Sequence, residues 1–314
     1  MQDLRDDERK FGGGTVVFAG DWAQTVPVMH RGREPDIANA CLNASPMWRQ
    51  VERLELKDYM RLRRPGLTAE QTEEIRVFAE WLKSVGQGEG RDDKGNIKIP
   101  EYIRLISPSE RIQTITAHTY ADVYSREIDV NDEVLLQWFG KRALLTGKNT
   151  DVNAVNADML AAMPGVPRSY KSADCIPHEA ESDFTRRDDV GIEYLNNLEF
   201  PGIPLLDTQL KVGCPVMLMR NLAPTNGLCN GTRMLITKMG NRVLEAKIIT
   251  GDHRDRIVLI SRIALDCDDK ELPFTLWRLQ FPVKLAFALT INKSQGQSLE
   301  SVGIDLTADA FGHG

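Results

Sequence analysis

The stretch that most constrains this 314-residue chain lies near its end. An apolar run, Phe281 to Ile291, passes directly into the polar cluster Asn292-Lys293-Ser294-Gln295-Gly296, and a second apolar run, Val302 to Leu306, follows. Two buried strands bracketing a polar turn is the layout of a ligand site at the carboxyl edge of an α/β sheet. The residue types suit phosphate. Hydroxyls and amides donate, Lys293 brings positive charge, and Gly296 permits close backbone approach.

The rest of the composition bounds the class. A chain of this length buries at least one large core, and two domains are the expectation. Hydrophobic and charged contents of 42% and 27% are those of a soluble globular protein. A net charge of −6 excludes a uniformly basic nucleic-acid coat but not a basic channel on an otherwise acidic body. The five cysteines, Cys41, Cys175, Cys214, Cys229 and Cys267, form no C-x-x-C and read as reduced thiols of an intracellular protein, with no zinc site. Met1 to Lys10 is charged throughout, so no signal peptide is expected, and no apolar run reaches membrane-spanning length.

In order along the chain, Thr15-Val16-Val17-Phe18-Ala19 reads as a buried parallel strand that exits at Gly20-Asp21. Asp36 to Val51 reads as helix broken near Ser45-Pro46, and Val51 to Leu56 as a strand. Thr68 with Gln71 forms a capping-box pattern opening an amphipathic helix with Ile75, Phe78, Ala79, Leu82 and Val85 on one face and Gly86 as its stop. Gln87 to Asn96 is an exposed loop, and its Gly88-Glu89-Gly90 is not a nucleotide loop. Ile97 to Ile106 is strand or loop. Thr119 to Ser125 and Asn131 to Phe139 are expected helices, and Arg142 to Thr146 a strand. Gly147-Lys148-Asn149-Thr150 fails as a phosphate loop, because Lys148 precedes Asn and the upstream glycine is missing. Lys148 and Asn149 are either DNA-backbone contacts or a solvated strand end. The helix Thr150 to Met163 carries Val152, Val155, Met159, Leu160 and Met163 on one face. Pro167 to Pro201 is polar, and His178-Glu179 within it is a surface pair, not a metal site. From Leu210 onward short strands recur (Thr232–Lys238, Val243–Thr250, Arg256–Ile260, Leu276–Leu279) with turns at Asn230-Gly231, Gly240-Asn241 and Gly251-Asp252, the pattern of a small β-barrel.

Several of these segments resemble one family. Ala288-Leu289-Thr290-Ile291-Asn292-Lys293-Ser294-Gln295-Gly296-Gln297-Ser298 is similar to motif V of the Pif1-like branch of superfamily 1 DNA helicases. Gly20-Asp21-Trp22-Ala23-Gln24-Thr25-Val26-Pro27-Val28 resembles its motif III, and Lys57 to Leu62 its motif IV, with Arg61 in the arginine place and Tyr59 where the family has Asn. Leu145, Asn149, Val152 and Asn156 fit the opening of its second RecA-like domain. Gly213 to Asn221 and Gly227 to Arg233 resemble its 2B domain.

The resemblance implies an α/β fold: RecA-like parallel sheets of the P-loop NTPase type, the first partial, with an inserted SH3-like β-barrel. It divides the chain into the end of a first RecA-like domain (1–66), a helical connection (67–141), the start of a second RecA-like domain (142–204), a 2B-like barrel (205–275) and a return to the second domain (276–314). It implies a 5′-to-3′ ATP-dependent helicase with roles in repair, recombination and telomere maintenance. Gln24 and Arg61 would be catalytic. Gly20, Asp21, Gln24, Arg61, Gln295 and Gly296 would meet ATP with its Mg²⁺, and no residue here is a metal ligand. Thr290, Asn292, Lys293 and Ser294 would hold DNA, and Arg220 and Arg233 would line its path or stabilise surface turns. Single strands and forks are the implied partners and the nucleus the implied compartment, the mitochondrion being the other.

The chain has no G-x-x-x-x-G-K-[ST] segment, no acidic pair on a strand for the metal, and no Y-V-A-x-S-R-like arginine motif after motif V. It is therefore expected to be a fragment of a helicase that hydrolyses no ATP alone. The alternative is a dead remnant that at most binds single-stranded DNA. A protein-interaction module built on the barrel is a weaker reading.

Overall fold

The computed structural model describes residues 8–21, 29, 32–56, 58–63, 65–106, 111–121, 129–130, 132–175, 202–267 and 276–307, without the side chains of Arg61, Arg111 and Ile112. It divides into two compact units, Met1–Leu105 with Gly312–Gly314, and Ile106–Phe311.

In the first unit the helices are α1 (Glu34–Ala40) and α2 (Ala69–Gly86), with 3-10 turns at Leu42–Ala44, Pro46–Gln50 and Met60–Arg63. Cys41 and Ser45 break the first stretch with extended backbone, and Pro46 starts the next turn, where a missing N–H costs nothing. The capping box forms as expected. Gln71 N donates to Thr68 Oγ1 at 3.1 Å, and Thr68 N donates to Gln71 Oε1 at 3.0 Å. Phe78 stacks on Trp81, and the Trp81 indole donates to Lys98 O at 3.2 Å, which folds the following loop back on α2. The loop itself is closed by Asp92, whose Oδ1 accepts from Lys94 N and Asn96 N.

Two expectations fail in this unit. Thr15–Ala19 is not a strand but exposed chain without regular secondary structure, with Val17 84% exposed. Val51–Leu56 likewise joins no sheet, with Leu56 104% exposed. A β-branched run becomes a strand only when a neighbouring strand takes its N–H and C=O groups, and among the described residues this unit has only an isolated bridge at Arg91 and Ile97. The unit's described apolar side chains include none that is buried.

The second unit begins with α3 (Arg111–Thr119) and α4 (Glu133–Gly140, capped by Asp132), then β1 (Arg142–Thr146) and α5 (Asn149–Ala162). The helix expected over Thr119–Ser125 falls mostly outside the described residues. Next come β2 (Arg168–Lys171), β3 (Ala173–Cys175), β4 (Asp207–Leu210), β5 (Pro215–Leu218), β6 (Arg233–Met239), β7 (Val243–Ile248), β8 (Ile257–Ser261) and β9 (Ile263–Cys267). The last elements are β10 (Leu276–Gln280), β11 (Val283–Leu285), β12 (Ala288–Thr290), α6 (Ile291–Ser294) and β13 (Ser301–Asp305). The strands β2 and β3 lie in a region whose polar composition carries no strand signal.

Three strands, in the order β12-β1-β13, form a parallel sheet. Its central strand is buried from Ala143 to Thr146 because helices cover both faces of such sheets. From one side α3 presses on it so closely that a Cβ on Gly303 would lie 2.3 Å from Ile115 Cγ2. The inserted strands make an antiparallel five-stranded sheet, β11-β5-β6-β7-β8, and a three-stranded one, β3-β10-β9. The short strands expected there exist, and their pairings among the described residues are those of open sheets, with β11 and β8 at the edges of the larger. One core joins the parallel and five-stranded sheets: Tyr120, Phe139, Val155 and Phe287 on one side, Val216, Met234, Ile248 and Phe281 on the other.

Buried polar groups hold this core in register. Arg278 and Asp174 form an ion pair of 2.7 Å, both side chains almost wholly buried, and Arg278 also donates to Pro204 O. Gln280 Nε2 donates to Tyr170 O at 2.7 Å. Lys211 Nζ donates to Met163 O at 2.6 Å and to Ala161 O, placing a cation at the carbonyl end of α5. All five cysteines are free thiols, and burial pushes Cys214 up to about 12.

Candidate functional site

The polar cluster sits where the parallel sheet ends. All three strands run the same way, so Thr290, Thr146 and Asp305 lie side by side, in register, at the carboxyl edge. Beyond Thr290 the chain makes the single turn α6 and reaches Gly296 with φ of 78°, a left-handed conformation that only glycine adopts without strain. Ser294 Oγ donates to Ile291 O at 2.7 Å, and Gln297 N donates to Ser294 O at 3.0 Å, closing the loop on itself. Thr290 and Asn292 are half-buried, while Lys293, Gln295 and Gly296 are exposed. An exposed ammonium, an amide and backbone N–H groups around a glycine turn can bind an anionic oxygen. Among the described residues no three His, Cys, Asp or Glu side chains cluster as metal ligands.

The root of this loop is fixed from inside. Asn156, on α5, accepts from Ala288 N at 2.9 Å and donates to Ala288 O and Leu285 O at 3.1 and 3.2 Å. Tyr120 donates to Phe287 O at 2.6 Å. Each of these bonds satisfies a buried group that would otherwise cost about 1–3 kcal/mol. Asn156 matched a family pattern in the sequence, but its partners could not be read there, because they are 132 residues away.

The inserted sheet meets the loop through one turn. Lys293 Nζ donates to Asn230 Oδ1 at 3.4 Å, and Asn230 N donates to Asn221 Oδ1 at 2.7 Å. Asn221 follows Arg220, which is half-buried and donates to Gly202 O and Met219 O. In the sequence Asn221 and Asn230 fall in the segments that resemble the 2B domain, Asn230 also as a turn residue, and neither reading pairs them with each other or with Lys293. Arg233 corrects an expectation. It is 0% exposed, with Nη2 donating to Arg142 O and Ala286 O at 2.9 and 3.1 Å. It therefore neither lines a DNA path nor stabilises a surface turn. Burial also lowers its pKa.

The remaining candidates lie in the first unit. Gly20 and Asp21 are exposed and lie outside any helix or strand, and Arg61 is in the 3-10 turn Met60–Arg63. Gln24 lies outside the described residues. The structure thus brings together Thr290 to Gly296 with Asn230.

Parallel strands with a polar loop at their carboxyl edge and an antiparallel insertion define the class: an α/β fold of the RecA-like type. Residues 1–96 match the PIF1-like helicase family, and residues 193–239 match the 2B domain of the DNA helicase Pif1. Over these two segments the chain is similar to Pif1-like helicases. It is 27% identical over 310 residues to the zebrafish (Danio rerio) ATP-dependent DNA helicase PIF1, covering 96% of this chain and 38% of that protein. To the human (Homo sapiens) protein of the same name it is 24% identical over 306 residues, with the same coverage. A bacterial Pif1, from Bdellovibrio bacteriovorus, is 35% identical over 98 residues, 31% of this chain and 21% of that protein. The fold is similar to that of Pif1 helicase from Candida albicans, with a TM-score of 0.57 at 20% identity over 99% of this chain and 62% of that one. It is also similar to Bacteroides Pif1 bound to single-stranded DNA, with a TM-score of 0.58 at 18% identity over 99% and 60%. The chain spans about two fifths of the length of the vertebrate relatives it matches.

Proposed function

We propose that this chain is part of an ATP-dependent 5′-to-3′ DNA helicase and that its share of the work is to grip a single strand. The observation that carries this reading is the loop Thr290–Gly296 at the carboxyl edge, with Lys293 exposed beside Asn230. Thr290, Asn292, Lys293 and Ser294 contact successive backbone phosphates, and Arg220 extends the path. Single strands and forks are the substrates, with repair, recombination and telomere maintenance as the settings and the nucleus as the compartment. The divisions at residues 66, 141, 204 and 275 are the domain limits.

ATP belongs to the same reading. Gln295 and Gly296 supply accessory contacts to its phosphates. The phosphate-cradling loop and the Mg²⁺-binding carboxylates of such motors are not in this sequence, so no hydrolytic step is assigned to these residues.

Fluorescence anisotropy with a labelled oligothymidine, titrated across salt, tests the grip. Binding is expected to weaken linearly on a log–log plot, and Lys293→Ala to weaken it and reduce the slope by about 0.7, one phosphate contact on a single strand. Absence of salt-sensitive binding, or a Lys293→Ala curve that overlays the wild type, sinks the proposal.

A further inference from the structure

Arg233 is the largest wholly buried side chain among the described residues, and its guanidinium is held by carbonyls. Its hydrogen bonds reach three of them from three elements: Gly140 at the end of α4, Arg142 at the start of β1, and Ala286 just before β12. Its Nε has no hydrogen-bond partner. An apolar residue of similar volume would be cheaper to bury than a cation with an orphaned N–H. What the cation supplies is reach: one planar fork ties three backbone segments together, which no aliphatic chain can do.

The location of that fork gives it a role. Arg233 is the first residue of β6, directly after the Asn230-Gly231 turn. Asn230 holds Lys293, downstream in the polar loop, and Arg233 holds Ala286, upstream of it. One turn of the inserted sheet therefore grasps the loop at both ends. The two grips differ in strength. The Lys293 contact is long and exposed, while the Ala286 contact is short and buried. Tyr120 on Phe287 O and Asn156 on Ala288 continue the line of anchors, but both come from outside the inserted sheet. Of these interior anchors, Arg233 alone belongs to the inserted sheet.

We propose that Arg233 is a positioning residue through which the inserted sheet sets the geometry of the strand-gripping loop, without itself touching DNA. The DNA part of this inference rests on the function proposed above; the positioning part does not.

The test uses the whole chain as wild type, Arg233→Met and Arg233→Lys, read by hydrogen–deuterium exchange and by oligothymidine binding across salt. For Arg233→Met, exchange is expected to rise about tenfold over residues 286–298, the scale of one lost charge-assisted hydrogen bond, while β7 and β8 keep wild-type rates. Affinity falls by a similar factor at an unchanged salt slope, because no phosphate contact has been removed. Arg233→Lys keeps the charge but cannot span three carbonyls, and lies between the two. Unchanged exchange over 286–298, or a rise spread evenly over residues 142–305, overturns the proposal. So does a slope that falls as it does for Lys293→Ala, which would make Arg233 a direct contact. If Arg233→Met does not fold, the same exchange and slope outcomes in Arg233→Lys support or overturn the proposal. If the wild type binds no single strand, the function proposed above fails while the exchange result still decides the positioning role.

Discussion

Thr15–Ala19 and Arg142–Thr146 are similar sequences with opposite fates. Each is a five-residue stretch with an apolar centre followed by a glycine, and each reads as a strand, the first as a buried parallel one. The second is one: β1 lies between β12 and β13, with Ala143 to Thr146 all buried. The first is exposed and joins no sheet among the described residues. The difference is not in the run but in its neighbours. β1 has a strand on each side to take its backbone groups and α3, α4 and α5 to cover its faces, whereas no strand among the described residues pairs with Thr15–Ala19. A strand is a property of a sheet, and side-chain pattern only nominates candidates for it.

The largest expected contrast is in backbone protection. Amides of β1 and β6 should exchange only through unfolding of the whole unit, and those of residues 14–20 and 51–56 several orders of magnitude faster. Comparable protection in the two sets would break the comparison. Side-chain deletions sharpen it: Phe287→Ala, wholly buried against Tyr120 and Phe139, is expected to cost about 3–5 kcal/mol in chemical denaturation, whereas Leu56→Ala should stay within about 0.5 kcal/mol. A large loss at Leu56 would mean that this region is packed after all. Asp174→Asn removes one partner of a buried pair and leaves Arg278 uncompensated, at a cost of about 3 kcal/mol; a neutral effect would show that the surrounding carbonyls suffice for the arginine. The smallest effect belongs to the first unit's best-formed element. Thr68→Ala takes the cap from α2 and should lower its stability by about 1 kcal/mol, detected as helix fraying by circular dichroism of the isolated segment 65–90 against the same peptide with Thr68.

Local signals were legible in proportion to how local their physics is. The Thr68–Gln71 capping box, the Asp92 loop, the break at Pro46 and the apolar face of α5 each depend on residues a few positions apart, and each appears where the sequence places it. The loop Thr290–Gly296 was legible as a site because its residue types and the flanking apolar runs are contiguous. Asn156, Tyr120 and Arg233 were not. Their partners lie 132, 167 and 53 residues away, and nothing in an Asn, a Tyr or an Arg announces that it will be buried on a distant carbonyl. The arginine misled for a specific reason: a cation in a Gly- and Asn-rich turn normally faces water, and this one points the other way, into a set of carbonyls that only the assembled core creates.

By itself, then, the sequence determined the elements whose hydrogen bonds close within one turn or one helix, the polar loop that ends the parallel strands, and the resemblance to Pif1-like helicases carried in its motifs. Tertiary structure decided which apolar runs become strands, and which polar side chains are committed to the interior. Both decisions depend on partners brought together from distant parts of the chain, since an unpaired backbone group or a bare guanidinium is tolerated inside a protein only where the fold delivers its complement.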